Sequence, residues 1–264
     1  MTQTEDMGAL PEPGREILGR TALVTGGSSD IGGAIVRSLA RRGADVVIHY
    51  HSNAEKAAAV AVDVRALGRQ AWTLQADLSL ADAARRLAAE ASALAPLDIL
   101  VNNAGTPVRR VHWSELDAPF LDTVFGLNYR APLYLCQALT PGMVERGRGV
   151  VISILSTAAV LGGTDTVYAY ASAKGALLTL TRGLARALAP QGVRVLAVAP
   201  GTIDTEFQRS GTPPEMLDTL VKSNLLGRMG RPEEIGEVVA FMATDAAGFV
   251  IGETIHVNGG FYMS

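Results

Sequence analysis

The chain has 264 residues, 48% of them hydrophobic and 19% charged, with a formal net charge of −3. That is enough apolar material for one large buried core, and the acidic balance excludes a general nucleic-acid binder, which needs a basic face. A single cysteine, Cys136, excludes an internal disulfide and an all-cysteine metal site, and no metal is expected.

Residues 1–18 are acidic, carry two prolines and have no apolar segment, so they read as a mobile leader and not a signal peptide. No stretch reaches the roughly 18 uncharged apolar residues of a membrane span, so a soluble, cytoplasmic chain with no membrane partner is expected. TALVTGG (21–27) is then a strand running into a glycine turn, and IGGAIVRSLARRG (31–43) is a helix that Gly43 can end. ADVVIHY (44–50) is the second strand, NAEKAAAVAVDVRALG (53–68) a helix, QAWTLQADLS (70–79) the third strand and LADAARRLAAEASAL (80–94) a helix. LDILVNNAG (97–105) is the fourth strand, ending in a polar, glycine-closed turn. A long helix fills about 117–146, with Cys136 as a buried structural thiol in its apolar run APLYLCQAL.

GVVISILS (149–156) is the fifth strand, a helix runs from about 167 to 189, and VRVLAVAPG (193–201) is the sixth strand. After an irregular stretch, RPEEIGEVVAFMATD (231–245) is helical with Pro232 in its first turn, and ETIHVNGG (253–260) is the last strand. This alternation predicts one α/β domain over 19–264, a doubly wound sheet of about seven mostly parallel strands with helices on both faces. In such sheets ligands bind beyond the carboxyl ends of the strands.

Two motifs sit at those ends. TGGSSDIGG (25–33) is a tight turn into a helix, whose free N–H groups and positive dipole end suit a pyrophosphate. In YASAK, Tyr170 and Lys174 lie four residues apart on one helix face, where an ammonium favours the phenolate and lowers the tyrosine pKa. Either alone has a bland reading: a common strand–helix junction, and a chance surface pair.

The ordered series TGGSSDIG, NNAG (102–105), Asn128 in GLNYRAP, Ser156 in ILSTAA, YASAK and APG (199–201) resembles the short-chain dehydrogenase/reductase family over roughly residues 19–262. The resemblance implies a Rossmann-type fold and a nicotinamide-dependent oxidoreductase interconverting a ketone or aldehyde and an alcohol. It implies that Tyr170 is the general acid and base, that Lys174 lowers its pKa and holds the nicotinamide ribose, and that Ser156 stabilises the developing oxyanion. Asn128 would bind a water linking Lys174 to solvent. Ser156 lies fourteen residues before Tyr170 where the family more often shows thirteen, which leaves Thr157 as a substitute. Tyr168 is a decoy, since Ser172 stands four places on.

The resemblance further implies a cofactor site of Gly26, Ser28, Ser29, Asp30, Ile31, Tyr50, His51, Ser52, Asp77, Leu78, Asn103, Ala104, Gly105, Tyr170, Lys174, Pro200, Gly201, Ile203 and Thr205, with Asn102 beside it. Tyr50, His51 and Ser52 stand where an NAD site carries a carboxylate, so NADP(H) is favoured and NAD(H) stays open, although the usual arginine anchor is missing. Asp30 replaces the middle glycine of the turn. At about 6 Å from a phosphate its charge would cost on the order of 1–3 kcal/mol, so it is expected to cap its helix and turn the charge away.

Residues 202–227 correspond to the family's variable lid, with Phe207, Met216 and Leu220 for a partly apolar pocket. Relatives with an NGG ending reduce 3-oxoacyl groups on acyl carrier protein, and Arg109, Arg110, Arg130, Arg146 and Arg148 could form a docking surface. Gln191 replaces an arginine of those relatives, which favours a free small-molecule substrate, with the acyl reductase as the alternative. A homotetramer is expected. A catalytically silent dinucleotide sensor or subunit is the alternative of another class.

Overall fold

The computed structural model describes residues 16–263. Residues 1–15 of the expected leader lie outside the described residues. Glu16–Leu18 do not belong to a leader: Ile17 is buried in the core, and its N–H donates to Arg42 O at 3.0 Å.

The elements follow the expected alternation. They are β1 (Thr21–Val24), α1 (Asp30–Arg41), β2 (Asp45–Tyr50), α2 (Ala54–Ala66), β3 (Ala71–Gln75), α3 (Ala83–Leu94) and β4 (Ile99–Asn102). Then come α4 (Ala118–Phe125), α5 (Ala131–Glu145), β5 (Gly149–Ile154), α6 (Ala158–Leu161), α7 (Tyr168–Leu188) and β6 (Val193–Pro200). The chain finishes with α8 (Glu206–Gly211), α9 (Pro214–Ser223), α10 (Pro232–Met242) and β7 (Thr254–Val257).

All seven strands are parallel, in the order β3-β2-β1-β4-β5-β6-β7. One apolar cluster joins one sheet face to α1, α2 and α10, and a second joins the other face to α3, α5 and α7. This is why β1, β4 and β5 read as unbroken apolar runs: both faces of each are covered. Each fully buried Val, Leu or Ile contributes about 1.5–3 kcal/mol. Gly236 permits the closest packing, since a Cβ there would stand 2.7 Å from Ala34 O on α1.

The expected strands ran several residues too far at their carboxyl ends: Val24, Gln75, Asn102 and Ile154 end β1, β3, β4 and β5. Beyond each, the chain leaves the ladder, at β1 by way of Gly26 with φ 63°. The single helix expected at 117–146 is α4 and α5 joined by a π-helical segment, Gly126–Arg130. The stretch expected to be irregular, 202–227, contains α8 and α9.

Candidate active site

The chain reverses direction of strand addition at β1, with β2 on one side and β4 on the other. A cleft of about 1030 Å³ opens beyond the carboxyl ends at this point. Its floor is the turn after β1. Gly26 takes the left-handed conformation there, and a Cβ on Gly32 would stand 2.0 Å from Gly26 O, so both positions require glycine. Ser29 caps α1, its Oγ accepting from Gly32 N at 3.0 Å. The first N–H groups of α1, from Asp30 and Ile31, have no partner within the helix. Asn103 Nδ2 donates to Thr25 O and Gly26 O at 2.8 and 3.1 Å, which fixes the turn against the end of β4.

Asp30 is a correction. It does not cap α1, because Ser29 already has the extended backbone and the hydroxyl acceptor of a cap. Nor does Asp30 need an unusual conformation, since Val108 is the only described non-glycine residue with positive φ. The Asp30 carboxylate instead crosses to the lid and accepts the backbone N–H of Glu206, the first residue of α8, at 2.6 Å.

At one end of the cleft, β5 and α7 bring together Ser156, Tyr170 and Lys174. Ser156 lies beside Tyr170, where its hydroxyl acts to lower the phenol's pKa, and its Oγ accepts the Ala158 N–H at 3.1 Å. Thr157 also lines the cleft but does not contribute to the Tyr170 shift. Lys174 is 2% exposed, its Nζ donating to Ile154 O at 2.8 Å and lying 5.7 Å from the Tyr170 ring centre. Burial pushes the Tyr170 phenol up to about 12, against a lowering by Ser156, and burial pulls the Lys174 ammonium down to about 8. The expected lowering of the tyrosine by its lysine is therefore not what this geometry gives: desolvation of both groups dominates.

Asn128 sits in the π-helical segment, fully buried behind the cleft wall. Its Nδ2 donates to Thr106 O and Val124 O, both at 2.9 Å, while its buried Oδ1 has no partner. A Cβ on Gly105 would stand 2.6 Å from that Oδ1 and 2.8 Å from Lys174 Nζ, so glycine here keeps open the space between them. Val108, on the same loop, adopts φ 66°, a strained state for a β-branched residue that costs about 1–3 kcal/mol.

At the other end, Ser28, Ser29, Ile31, His51, Ser52, Asp77 and Leu78 line the cleft. Asp77 accepts from Ser79 N and Oγ at 3.0 and 2.7 Å, and the Ser79 hydroxyl is the main reason its carboxyl lies below the ordinary range. Ala104, Gly105, Pro200, Gly201, Ile203 and Thr205 complete the walls, and Phe207, Met216 and Leu220 of the lid face the cleft as expected.

Two expected wall residues are elsewhere. Tyr50 packs against the core on the opposite face of β2, since neighbouring strand residues alternate. Asn102 still belongs to β4 and points into the interior, its Nδ2 3.7 Å from the buried Cys136 Sγ. Among the lining residues that the sequence did not single out are His49, Lys56 and Glu206. His49 accepts from Gly26 N at 3.0 Å through Nδ1 and meets Ala76 O at 3.1 Å through Nε2, and burial lowers its pKa to about 4. The neutral ring thus ties the turn to the end of β3.

The arginines expected at the entrance are split. Arg146 and Arg148 each lie 3.4 Å from Asp98, which precedes β4, so they sit at the amino ends of the strands and far from the cleft. Arg130 pairs with Asp122, Arg109 lies over the Phe120 ring, and only Arg110 lines the cleft.

The family model described as enoyl-(acyl carrier protein) reductase matches residues 26–262. The chain is 34% identical to the 3-oxoacyl-[acyl-carrier-protein] reductase FabG of Staphylococcus aureus over 92% of its length and 98% of the relative's. It resembles the crystal structure of a 3-oxoacyl (acyl-carrier-protein) reductase from Agrobacterium tumefaciens C58 with NADP bound, at 37% identity and TM-score 0.88, covering 96% of this chain and 99% of that one. A short-chain dehydrogenase/reductase from Serratia marcescens is 37% identical with TM-score 0.87, covering 93% and 99%. With the glycine turn, the serine, the tyrosine and the lysine assembled at one cleft, the chain belongs to the short-chain dehydrogenase/reductase family of oxidoreductases.

Proposed function

We propose that the chain is an NADP(H)-dependent reductase of a ketone or aldehyde, working reversibly on the alcohol. The observation that carries this reading is the convergence of Ser156, Tyr170 and the buried, backbone-anchored Lys174 amine on one cleft. The glycine turn fits a pyrophosphate, because its left-handed Gly26 and its Cβ-free Gly32 leave room beside the first N–H groups of α1. Gly26, Ser28, Ser29 and Ile31 would hold the phosphates, with Asp77, Leu78, Asn103, Ala104 and Gly105 along the adenosine and ribose. Pro200, Gly201, Ile203 and Thr205 would hold the nicotinamide, which supplies the hydride when bound.

The chain's own residues supply position and protons. Ser156 donates to the substrate carbonyl oxygen and stabilises the charge that grows there. Tyr170 gives its hydroxyl proton to that oxygen in reduction and takes it back in oxidation. The raised phenol carries its proton at neutral pH, as a donor must, and the Lys174 ammonium beside it eases the transfer by stabilising the phenolate left behind. The free Oδ1 of Asn128 accepts from a water that returns a proton through Lys174. No carboxylate stands at the end of β2, which supports NADP(H) over NAD(H); the Agrobacterium relative was solved with NADP.

The test is loss of NADPH and NADH absorbance over a panel of ketones and aldehydes, where turnover with NADPH is expected and its absence throughout would leave the silent sensor. A second reading, reduction of a 3-oxoacyl group on acyl carrier protein, is favoured by the likeness to FabG. The distance of Arg146 and Arg148 from the cleft weighs against it, and a carrier-bound and a free thioester compared in one assay separate the two. No described helix is long and apolar enough to cross a membrane. The exposed Phe249, Ile251 and Met263 flank edge strand β7 in sequence and support a homotetramer.

A further inference from the structure

The Ser28 end of the cleft carries one cation that no sequence motif pointed to. Three residues with a lysine or arginine charge line the cleft: Lys56, Arg110 and Lys174. Lys174 is buried against Ile154 O, and Arg110 is held by Gly211 O and Thr212 Oγ1 at 3.0 and 3.1 Å. Lys56 alone stands with Ser28, Ser29, His51 and Ser52, where an anionic group on the adenosine ribose would lie. Its backbone is fixed in the first turn of α2, where Asn53 Oδ1 accepts its N–H at 2.9 Å. Its half-exposed side chain is paired with the carboxylate of Glu206 on the lid helix α8. Glu206 is in turn the residue whose backbone N–H donates to Asp30.

We propose that Lys56 is the contact for the cofactor's 2′-phosphate, and that it exchanges Glu206 for that phosphate, so that NADP(H) but not NAD(H) releases the tie between the lid and α2 while the tie from the lid to Asp30 of the nucleotide turn stays. The assignment rests on the NADP(H) reading above. Glu206 pairs with the ammonium and is the main reason its pKa is raised, and the Asp30 carboxylate adds a smaller attraction from farther off. A phosphate dianion entering this group meets net negative charge unless Glu206 withdraws. The unphosphorylated cofactor meets no such conflict and leaves the Lys56–Glu206 pair in place. The tie from Asp30 to the Glu206 N–H is retained with either cofactor.

The experiment is direct binding of NADPH and NADH, read by fluorescence titration, to the intact chain and its variants. Lys56→Met is expected to weaken NADPH about ten- to a hundredfold, the worth of one charge-assisted hydrogen bond, and to leave NADH within about twofold. Lys56→Arg is expected to restore the preference, and the NADH binding kept by Lys56→Met shows that this variant folds. Glu206→Gln, which frees the ammonium, is expected to tighten NADPH several-fold with NADH unchanged. A Lys56→Met chain that keeps its full preference for NADPH overturns the proposal alone. Equal loss for both cofactors, or a Glu206→Gln chain that binds NADPH more weakly, also overturns it. A parent chain that prefers NADH overturns the cofactor reading itself.

Discussion

The two ends of the cleft are built differently. At the Tyr170 end, the polar groups hang from β5, α7 and the π-helical segment, and most of their partners are backbone carbonyls: Lys174 on Ile154 O, Asn128 on Thr106 O and Val124 O. At the Lys56 end, half-exposed side chains bridge two elements far apart in sequence, Lys56 and Asp30 to the lid at Glu206. Buried, backbone-anchored groups hold one geometry and have shifted acidities. Exposed ion pairs contribute little stability and can exchange partners. The first arrangement suits chemistry that needs fixed distances, and the second suits a site that must open for a cofactor to enter and leave.

The sharpest way to break this contrast is at the rigid end. Ser156→Ala is expected to lower kcat/KM by about 10²–10³-fold, the usual loss for a donor to a developing oxyanion, while Thr157→Val lowers it less than about tenfold. Steady-state kinetics on the two variants decide which hydroxyl serves; a reversed order would mean that the extra residue in the 157–167 loop moves Thr157 into the role.

His49 comes next, because it joins the rigid sheet to the turn. Its folded pKa of about 4 lies below the ordinary 6.5, so the unfolded chain binds a proton between these values that the folded chain does not. Stability is therefore full above about pH 6.5 and is lost as the pH falls towards 4, by on the order of 3 kcal/mol from this group. Urea unfolding across that range should show the loss, and His49→Asn should flatten it. An equal slope in the variant would place the acid sensitivity elsewhere.

The smallest effect is expected at the exchangeable end. Asp30→Gly restores the glycine of the turn and removes one tie to the lid, and cofactor affinity should change less than tenfold, since the carboxylate is already engaged by the Glu206 N–H. A gain well beyond tenfold in a binding titration would mean that Asp30 obstructs the cofactor.

The same division explains what the sequence made legible. Strands buried on both faces read as apolar runs, and the residues just past them, TGG, NNAG, ST and APG, fall at the cleft because parallel strands all end there. The Tyr170 and Lys174 pairing follows from helix spacing alone. At β2 a one-residue shift in face exchanged His49 for Tyr50, since alternation gives no warning when both faces are covered. Asp30 and Lys56 were beyond local reach: their partner Glu206 lies 176 and 150 residues away, on a lid helix whose short, polar sequence carries no periodic signal. The position of Asn128 was visible, but not the π-helical segment that turns it inward.

The central claim is that the Tyr170 hydroxyl delivers the proton while the rest of the cleft holds the cofactor independently of it. Tyr170→Phe tests this in one preparation, with NADPH binding measured by fluorescence and turnover measured on any carbonyl the parent chain reduces. Binding within about threefold of the parent and turnover reduced by about 10³-fold or more is the predicted pair of results. A phenylalanine variant that still turns over at a substantial fraction of the parent rate would contradict the account.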